Sequence, residues 1–500
     1  MELLNRKQHR ITLHPLGKQL LVNDQTPLID ALHEYGVEFP CGGKGTCGKC
    51  RVKLLAGEIE MSEVHRQKLR SLNLEPNWRL ACYSRCTSDI TLEIGQFDHL
   101  ILADESDFRF TPSEGFGVAV DVGTTTLVAQ LVDLSTGKVL AAETGLNPQV
   151  KFGADLISRI QAGVDGHTAE MAGLIRDAVG AMILKMLENH PVKLNRVVLV
   201  GNSAMRLFFG GHDVKPLSMY PFHIGHSAIQ FYSPDELGWN FRVSEFIGFY
   251  PSMGSFVGSD ILAGIAATAM HFRDEFTALI DLGTNGEIAI GNRQGIVCAS
   301  TAAGPAFEGA CISMGMRAVT GAISSLRLDN ATMHAEVIGN TAPKGICGSA
   351  LIDAVSILRQ TGQIGMFGEI LSGAESVPVA GQVILTQKDI YEFQLAKAAI
   401  AAGLEILTQN LGIAVGDISK LYIAGGFGNY INIDHLVTTG MTEIDREKIQ
   451  RMGNTALIGA KMFLFMTPGS VNEILAITRH INLEGHPGFQ DIYVEKMIMG

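Results

Sequence analysis

Charge is scarce in this sequence, with only 18% of its 500 residues being Asp, Glu, Lys or Arg. Even so, no window approaches the roughly 20 uncharged apolar residues that a membrane span needs. The amino terminus, MELLNRKQHRITL, also lacks the apolar stretch of a secretion signal. No membrane partner is expected, and a soluble, cytoplasmic protein is. Clustered basic residues are missing as well. The formal charge is −12, whereas neutralising a phosphate backbone takes grouped Lys and Arg, so nucleic acid is excluded as the main partner. There is no G-x-x-x-x-G-K-[ST] loop, and any nucleotide site must be of another kind than the P-loop.

Apolar residues make up 46% of the chain, enough to bury the two or three cores that this length implies. Charge is unevenly spread: residues 1–100 hold 13 Lys+Arg against 12 Asp+Glu, or +1, which leaves −13 for the remainder. Cysteine is uneven too, since five of the eight lie within residues 41–86. In a reducing compartment such a cluster points to metal rather than disulfides. Cys298, Cys311 and Cys347 are scattered and read as buried thiols.

Three of the clustered cysteines stand in CGGKGTCGKC, residues 41–50, at C-x5-C-x2-C spacing with four glycines among them. So much glycine predicts a loop curling around a ligand. Before it, RITLHPLGKQLLVN reads as two strands with a turn at Pro15 to Lys18. TPLIDALHEYGVEFP then reads as a helix capped by Thr26 and ended by Gly36. After it come a strand (RVKLLAGEIE), a helix (EVHRQKLRSL), two more cysteines in WRLACYSRC and the strand DITLEI. This order resembles the β-grasp 2Fe-2S ferredoxins over residues 1 to about 97, and the C-x5-C spacing resembles their adrenodoxin-like branch rather than the plant type. The resemblance implies a 2Fe-2S cluster on Cys41, Cys47, Cys50 and a distant fourth ligand, for which RLAC favours Cys82 over Cys86. Backbone N–H groups of the glycine loop would then face the cluster sulfurs. The competing readings are a four-cysteine zinc site, which usually pairs two short C-x2-4-C knuckles, and unligated core thiols.

Residues 98–115 carry an acidic run without clear period and read as a linker. FGVAVDVGTTTLVAQLVDLSTGKVL follows as a three-stranded meander, and FTALIDLGTNGEIAIGNRQGIVCAS repeats its design 160 residues later. Asp121 matches Asp281, Gly123 matches Gly283 and Thr124 matches Thr284. Each unit is closed by a β-branched strand running into glycine, RVVLVGNSAM and KLYIAGGFGNY, so two duplicated α/β subdomains are expected over residues 116–500. Small residues at a hairpin tip expose N–H groups to phosphate oxygens, and an aspartate before the turn suits hydrated Mg2+. A single D-x-G-T is a common turn, but two in register are not. The arrangement resembles the superfamily of actin, sugar kinases and heat-shock chaperones, with its ribonuclease H-like core. That resemblance implies ATP and Mg2+ between the halves, with Gly123, Thr124, Thr125, Gly283, Thr284 and Asn285 on phosphate, Gly425, Gly426 and Gly428 on adenosine, and Asp121 and Asp281 in catalysis. AGGFG alone equally fits a ligand-free turn.

FVGSDILAGIAAT, AAGPAFEGACISMGM and GICGSALID each read as a glycine turn opening a helix. Asp260 there is expected to cap its helix, and Glu308 to act on Mg2+ or water. GNSAM, AAGPAFEGACISMGMRAVTGAI and GICGSALID resemble the reductive activators of corrinoid proteins, in which a ferredoxin precedes an actin-like ATPase. The fold class is then α/β with an α+β amino-terminal domain. The resemblance implies ATP-dependent return of a partner's corrinoid from Co(II) to Co(I) in a methyltransferase system, with a low-potential electron donor, and it leaves a homodimer open. An Asp-x-His-x-x-Gly signature of corrinoid carriers is absent, so the corrinoid is expected on the partner. Two other readings stand beside this one: a small-molecule kinase with a redox-sensing ferredoxin, and a nucleotide-gated module that binds a metal cofactor.

Overall fold

A computed structural model describes residues 7–14, 18–32, 37, 50–72, 74–94, 111–153, 155–220, 222, 224, 228–283, 285–309, 311–316, 321–330, 332–425 and 431–500. The first strand, β1 (Gln8–His14), alternates so that Ile11 and Leu13 are buried. It pairs antiparallel with β2 (Lys18–Asn23). Then follow β3 (Thr26–Pro27), α1 (Leu28–Leu32), β4 (Arg51–Ala56), α2 (Glu63–Ser71), β5 (Trp78–Leu80), β6 (Arg85–Cys86) and β7 (Ile90–Ile94). Five of the strands form a sheet in the order β2-β1-β7-β4-β5, with β1 and β7 parallel, which is the β-grasp arrangement. Ser62 caps α2 through the His65 N–H. Thr26, expected to cap a helix, does not: it pairs with Cys86 in the β3–β6 bridge, and its hydroxyl donates to the Asn23 carbonyl at 2.7 Å. The backbone is extended there, and the helix begins two residues later. Gly36, its expected end, lies outside the described residues.

The first D-x-G-T unit is the meander β8 (Phe116–Val122), β9 (Thr126–Asp133) and β10 (Val139–Leu146). It is followed by α3 (Leu156–Ala162), α4 (Thr168–Asn189), β11 (Leu194–Val200), α5 (Ser203–Gly210), β12 (Gln230–Tyr232), β13 (Val243–Phe249) and α6 (Ser259–Ala267). The sheet runs β10-β9-β8-β11-β13-β12, with β8, β11 and β13 parallel. Near-continuous apolar runs such as Val197–Val200 suit strands buried on both faces.

The second unit repeats this as β14 (Thr277–Leu282), β15 (Gly286–Asn292) and β16 (Gly295–Thr301). A small sheet follows, made of β17 (Ala322–Asp329), β18 (Thr332–Val337) and β19 (Gly345–Ile346). After it come α7 (Gly348–Gln360), the hairpin β20 (Ser376–Ala380) and β21 (Val383–Thr386), α8 (Gln387–Leu411), β22 (Lys420–Ala424), β23 (Ile449–Gly453), α9 (Thr455–Phe465) and β24 (Thr478–His480). Its sheet order is β23-β22-β14-β15-β16-β24. With the edge strands β12 and β24 set aside, the five remaining strands of each sheet share one order, third, second, first, fourth, fifth, as a duplication requires.

Helices α6 and α9 occupy equivalent places in the two halves and pack on each other between the sheets. A Cβ added at Gly459 would fall 2.0 Å from the Ala263 carbonyl oxygen, so the approach needs glycine. The core around them draws Ala119 and Val198 from one sheet and Leu279 and Tyr422 from the other. No helix among the described residues is long and apolar enough to cross a membrane.

Candidate functional sites: a cysteine pair and an acidic cleft

Strand β5 explains how cysteines far apart in sequence meet. Arg51 pairs with Leu80 across the β4–β5 ladder, and the Ala81 N–H donates to the Cys50 carbonyl at 2.8 Å. Cys50 Sγ and Cys82 Sγ are thereby 3.1 Å apart. Behind them His65 is fully buried, and its Nε2 accepts from the Leu80 N–H at 2.9 Å. Its pKa is lowered to about 4, first by burial and then by Arg79, so the ring is neutral with the proton on Nδ1. Cys86 is elsewhere: it is buried in the ferredoxin core, 3.4 Å from the Ser88 carbonyl, and burial pushes its thiol up to about 11. Cys41 and Cys47 lie outside the described residues.

Each D-x-G-T hairpin of the ATPase-like core ends at a glycine of a neighbouring strand. A Cβ on Gly201, just after β11, would fall 2.5 Å from the Val122 carbonyl oxygen, and one on Gly425, just after β22, 2.2 Å from that of Leu282. The two contacts are equivalents, since Val122 and Leu282 each follow the hairpin aspartate. Gly425 also sits at φ +99°, a conformation that favours glycine. The first tip, Gly123 to Thr125, is held by Asn147, Arg159 and Asn202, whose side chains reach Gly123 O at 2.9 Å, Thr124 O at 2.5 Å and Thr124 Oγ1 at 2.8 Å. In the second tip the Gly283 N–H donates to Asn285 O at 3.0 Å. Thr284, Gly426 and Gly428 lie outside the described residues, as does the Glu308 side chain.

Asp121 and Asp281 end their strands and face one cleft, close enough that Asp121 raises the pKa of Asp281. Two carboxylates join them. Asp260 does not cap α6, which starts on Gly258 with no side-chain cap; it stands near Asp121, Asp281 and Glu287. Glu287 pairs with Asp281 across β14 and β15. Burial, and after it the neighbouring charges, pushes Asp281 up to about 8 and Asp260 to about 7. Glu287 is raised well above its usual range by burial and then by Asp260 and Asp281. Burial lifts Asp121 to about 6 against the Asn454 amide, which donates to Asp121 Oδ2 at 2.8 Å. Each half thus presents its helix terminus to the other's aspartate: Asn454 of α9 meets Asp121, and Asp260 of α6 meets Asp281.

Such a cluster cannot be fully ionised without a cation. Among the described residues no three His, Cys, Asp or Glu side chains form a ready metal cage. Two carboxylates such as Asp121 and Asp281 are the donors that a hydrated Mg2+ would take from a protein.

Comparisons with known proteins bear on both sites. Residues 11–87 match the model of the 2Fe-2S iron-sulfur cluster binding domain, residues 116–273 the RACo middle region, and residues 275–500 the C-terminal domain of RACo, the ASKHA domain. A solved structure titled reductive activator for corrinoid, iron-sulfur protein superposes over 98% of both chains, with a TM-score of 0.68 and 26% identity. The chain belongs to the reductive activators of corrinoid proteins. A corrinoid activation enzyme RamQ of Eubacterium limosum is 29% identical to this activator over 98% of its length and 99% of the relative's. A Co(II) methylated amine-specific corrinoid protein reductase of Methanosarcina barkeri is 23% identical over 74% of this chain and 73% of the relative. The activator thus carries a 2Fe-2S ferredoxin domain followed by an actin-like ATPase fold, as the sequence implies.

Asp260, Glu287, Asn147, Arg159, Asn202 and Asn454 are absent from the site residues expected from the activator's sequence, in which Asp260 reads only as a helix cap. A signal existed for two of them. Asp260 interrupts a helix whose other residues are all buried, and Glu287 is the one charge in the strand GEIAIGN.

Proposed function

We propose that this activator uses ATP held between its duplicated halves to drive an electron from a 2Fe-2S cluster to the Co(II) corrinoid of a partner methyltransferase-system protein, restoring Co(I). The observation that carries the reading is the presence of both devices on one chain: a cysteine pair 3.1 Å apart in a β-grasp fold, and a cleft where two equivalent hairpins aim aspartates at each other. Moving an electron uphill costs about 2.3 kcal/mol per 100 mV, and ferredoxin clusters of the low-potential kind lie near about −400 mV. Nucleotide binding that closes the halves offsets that cost by changing how the partner holds its cobalt.

Cys41, Cys47, Cys50 and Cys82 are the cluster ligands in this reading, and the cluster supplies one-electron transfer when bound. Ligation by Cys82 is supported by its sulfur facing Cys50 while Cys86 is committed to the core. Asp121 and Asp281 orient hydrated Mg2+; Gly123, Thr124, Thr125, Gly283, Thr284 and Asn285 take the phosphates; Gly425, Gly426 and Gly428 lie against adenosine. Asp260, beside both aspartates, joins Glu308 as a candidate to accept a proton from the attacking water, because its pKa near 7 suits a base at neutral pH. A low-potential donor refills the cluster. Residues 1–97 act as the electron-carrying unit on a linker of residues 98–115, and the clustered thiols suit the reducing cytoplasm.

The two devices are separable by experiment. Asp281→Ala should abolish ATP hydrolysis and leave the visible and EPR spectra of the cluster intact, while Cys47→Ala should lose the cluster and keep hydrolysis. Normal hydrolysis by Asp281→Ala would overturn the cleft assignment.

A further inference from the structure

Behind the first hairpin stands a guanidinium that Asp155 attracts without forming an ion pair with it. Arg159, on α3, is 1% exposed. Its Nε donates to Gly153 O at 2.9 Å and its Nη1 to Thr124 O at 2.5 Å. No carboxylate among the described residues comes within ion-pair distance. Asp155, one turn earlier, is committed to capping α3 through the Ser158 N–H at 2.8 Å and hydroxyl at 2.7 Å. A buried cation held by carbonyls carries a large desolvation cost, and here the fold accepts it against the tip of a loop.

What that contact does follows from the planarity of the peptide. In a trans peptide the carbonyl of one residue and the N–H of the next point opposite ways. Three successive carbonyls of the tip are turned toward the protein: Gly123 O accepts from the Asn147 side chain, Thr124 O from Arg159, and Thr125 O from the Asn147 N–H at 2.9 Å. The Thr124 N–H must then face away from the Asn147 amide and the Thr125 N–H away from Arg159, and neither has a protein partner among the described residues. Consecutive amides aimed one way make a concavity for an anion. The guanidinium polarises one of those peptides from behind and adds a full positive charge at the same end. At the second tip the Gly283 N–H donates to Asn285 O instead, and among the described residues no Lys or Arg side chain bonds to that tip.

The geometry points to Arg159 as a positioning residue for nucleotide phosphate: it holds the Thr124 peptide with its N–H toward the cleft and supplies the buried charge that makes the first hairpin the stronger anion site. This inference rests on the reading that ATP occupies the cleft. If Arg159 served packing and loop anchoring alone, loss of ATP affinity would follow loss of fold stability whatever the charge.

The test compares Arg159→Gln and Arg159→Lys in the full chain, measuring ATP dissociation constants by calorimetry with Mg2+ present, and thermal melting of the same samples. Arg159→Gln should weaken ATP at least tenfold and Arg159→Lys less than threefold, although lysine disrupts the two-carbonyl fork just as much. Equal weakening in both, or none in Arg159→Gln, overturns the inference while leaving the cleft reading intact. Should Arg159→Gln show no cooperative melt, Arg159→Lys decides: a folded lysine variant weakened tenfold overturns the inference, and one within threefold supports it. A wild-type chain that binds no ATP overturns the cleft reading and this inference with it.

Discussion

Loading the cleft with Mg2+ and ATP should expel protons. Burial and the neighbouring charges push Asp281 up to about 8 and Asp260 to about 7, and burial lifts Asp121 to about 6. At pH 7 these groups hold roughly nine-tenths, one half and one tenth of a proton, or about 1.5 in all. A divalent cation favours the charged forms and removes the repulsion that raised them. Between one and two protons per chain, on the order of the stored amount, should therefore leave on binding. Calorimetric titration of preformed Mg-ATP in two buffers of different ionisation enthalpy gives the number directly from the difference in heats. Asp281→Asn, which deletes the group raised to about 8 and relieves its neighbours, should cut the release to below about one half. Binding with no proton release, or with uptake, would refute the reasoning, because the cation would then have to sit away from the carboxylates.

The same shifts set a pH dependence of stability. Folded-state pKa values raised above the unfolded value of about 3.9 mean that the folded chain binds more protons, so the nucleotide-free protein should lose thermal stability as pH rises from about 4 to about 8, and Mg2+ should restore it; a melting temperature that climbs over that window would contradict the cluster. Cys82→Ala should lose the iron and the visible spectrum of the anaerobically purified protein, whereas Cys86→Ala should keep two irons per chain with reduced stability, as iron analysis will show; the reverse result would make Cys86 the ligand. Gly425→Ala should destabilise by about 2 kcal/mol or more, because φ is +99° and the new Cβ meets the Leu282 carbonyl oxygen at 2.2 Å, and it should also weaken ATP binding; denaturant melts and calorimetry check both, and a neutral substitution would show that the strand-tip contact is dispensable.

What was legible in the sequence was whatever repeats or clusters locally. The cysteine loop announces itself by spacing and glycine, and the paired meanders by their 160-residue offset, since Asp121 and Asp281 occupy the same place in two copies of one pattern. Boundaries fared well wherever apolar alternation was strict, as along Phe116–Val122. Thr26 was misplaced because Thr-Pro before an apolar run fits a helix start equally well, and only the distant Cys86 decides between strand and helix. The cleft was half legible. Asp260 looks like an ordinary residue of a first helical turn, and nothing in GSDILAGIAA shows that the other half of the molecule brings Asp281 beside it. Asn454, Arg159 and Asn147 act over 333, 35 and 24 residues of separation, through contacts that have no sequence period at all.

The coupling of the two devices is the central claim, and the cobalt spectrum tests it most directly. A Co(II) corrinoid partner is mixed anaerobically with the activator and a mild reductant of fixed potential, and Co(I) is followed with and without Mg-ATP. Co(I) should accumulate with the nucleotide and fail to accumulate without it, with Cys47→Ala or with Asp281→Ala. Equal yield of Co(I) in the absence of nucleotide would contradict the account, leaving an electron carrier joined to an ATPase that drives nothing.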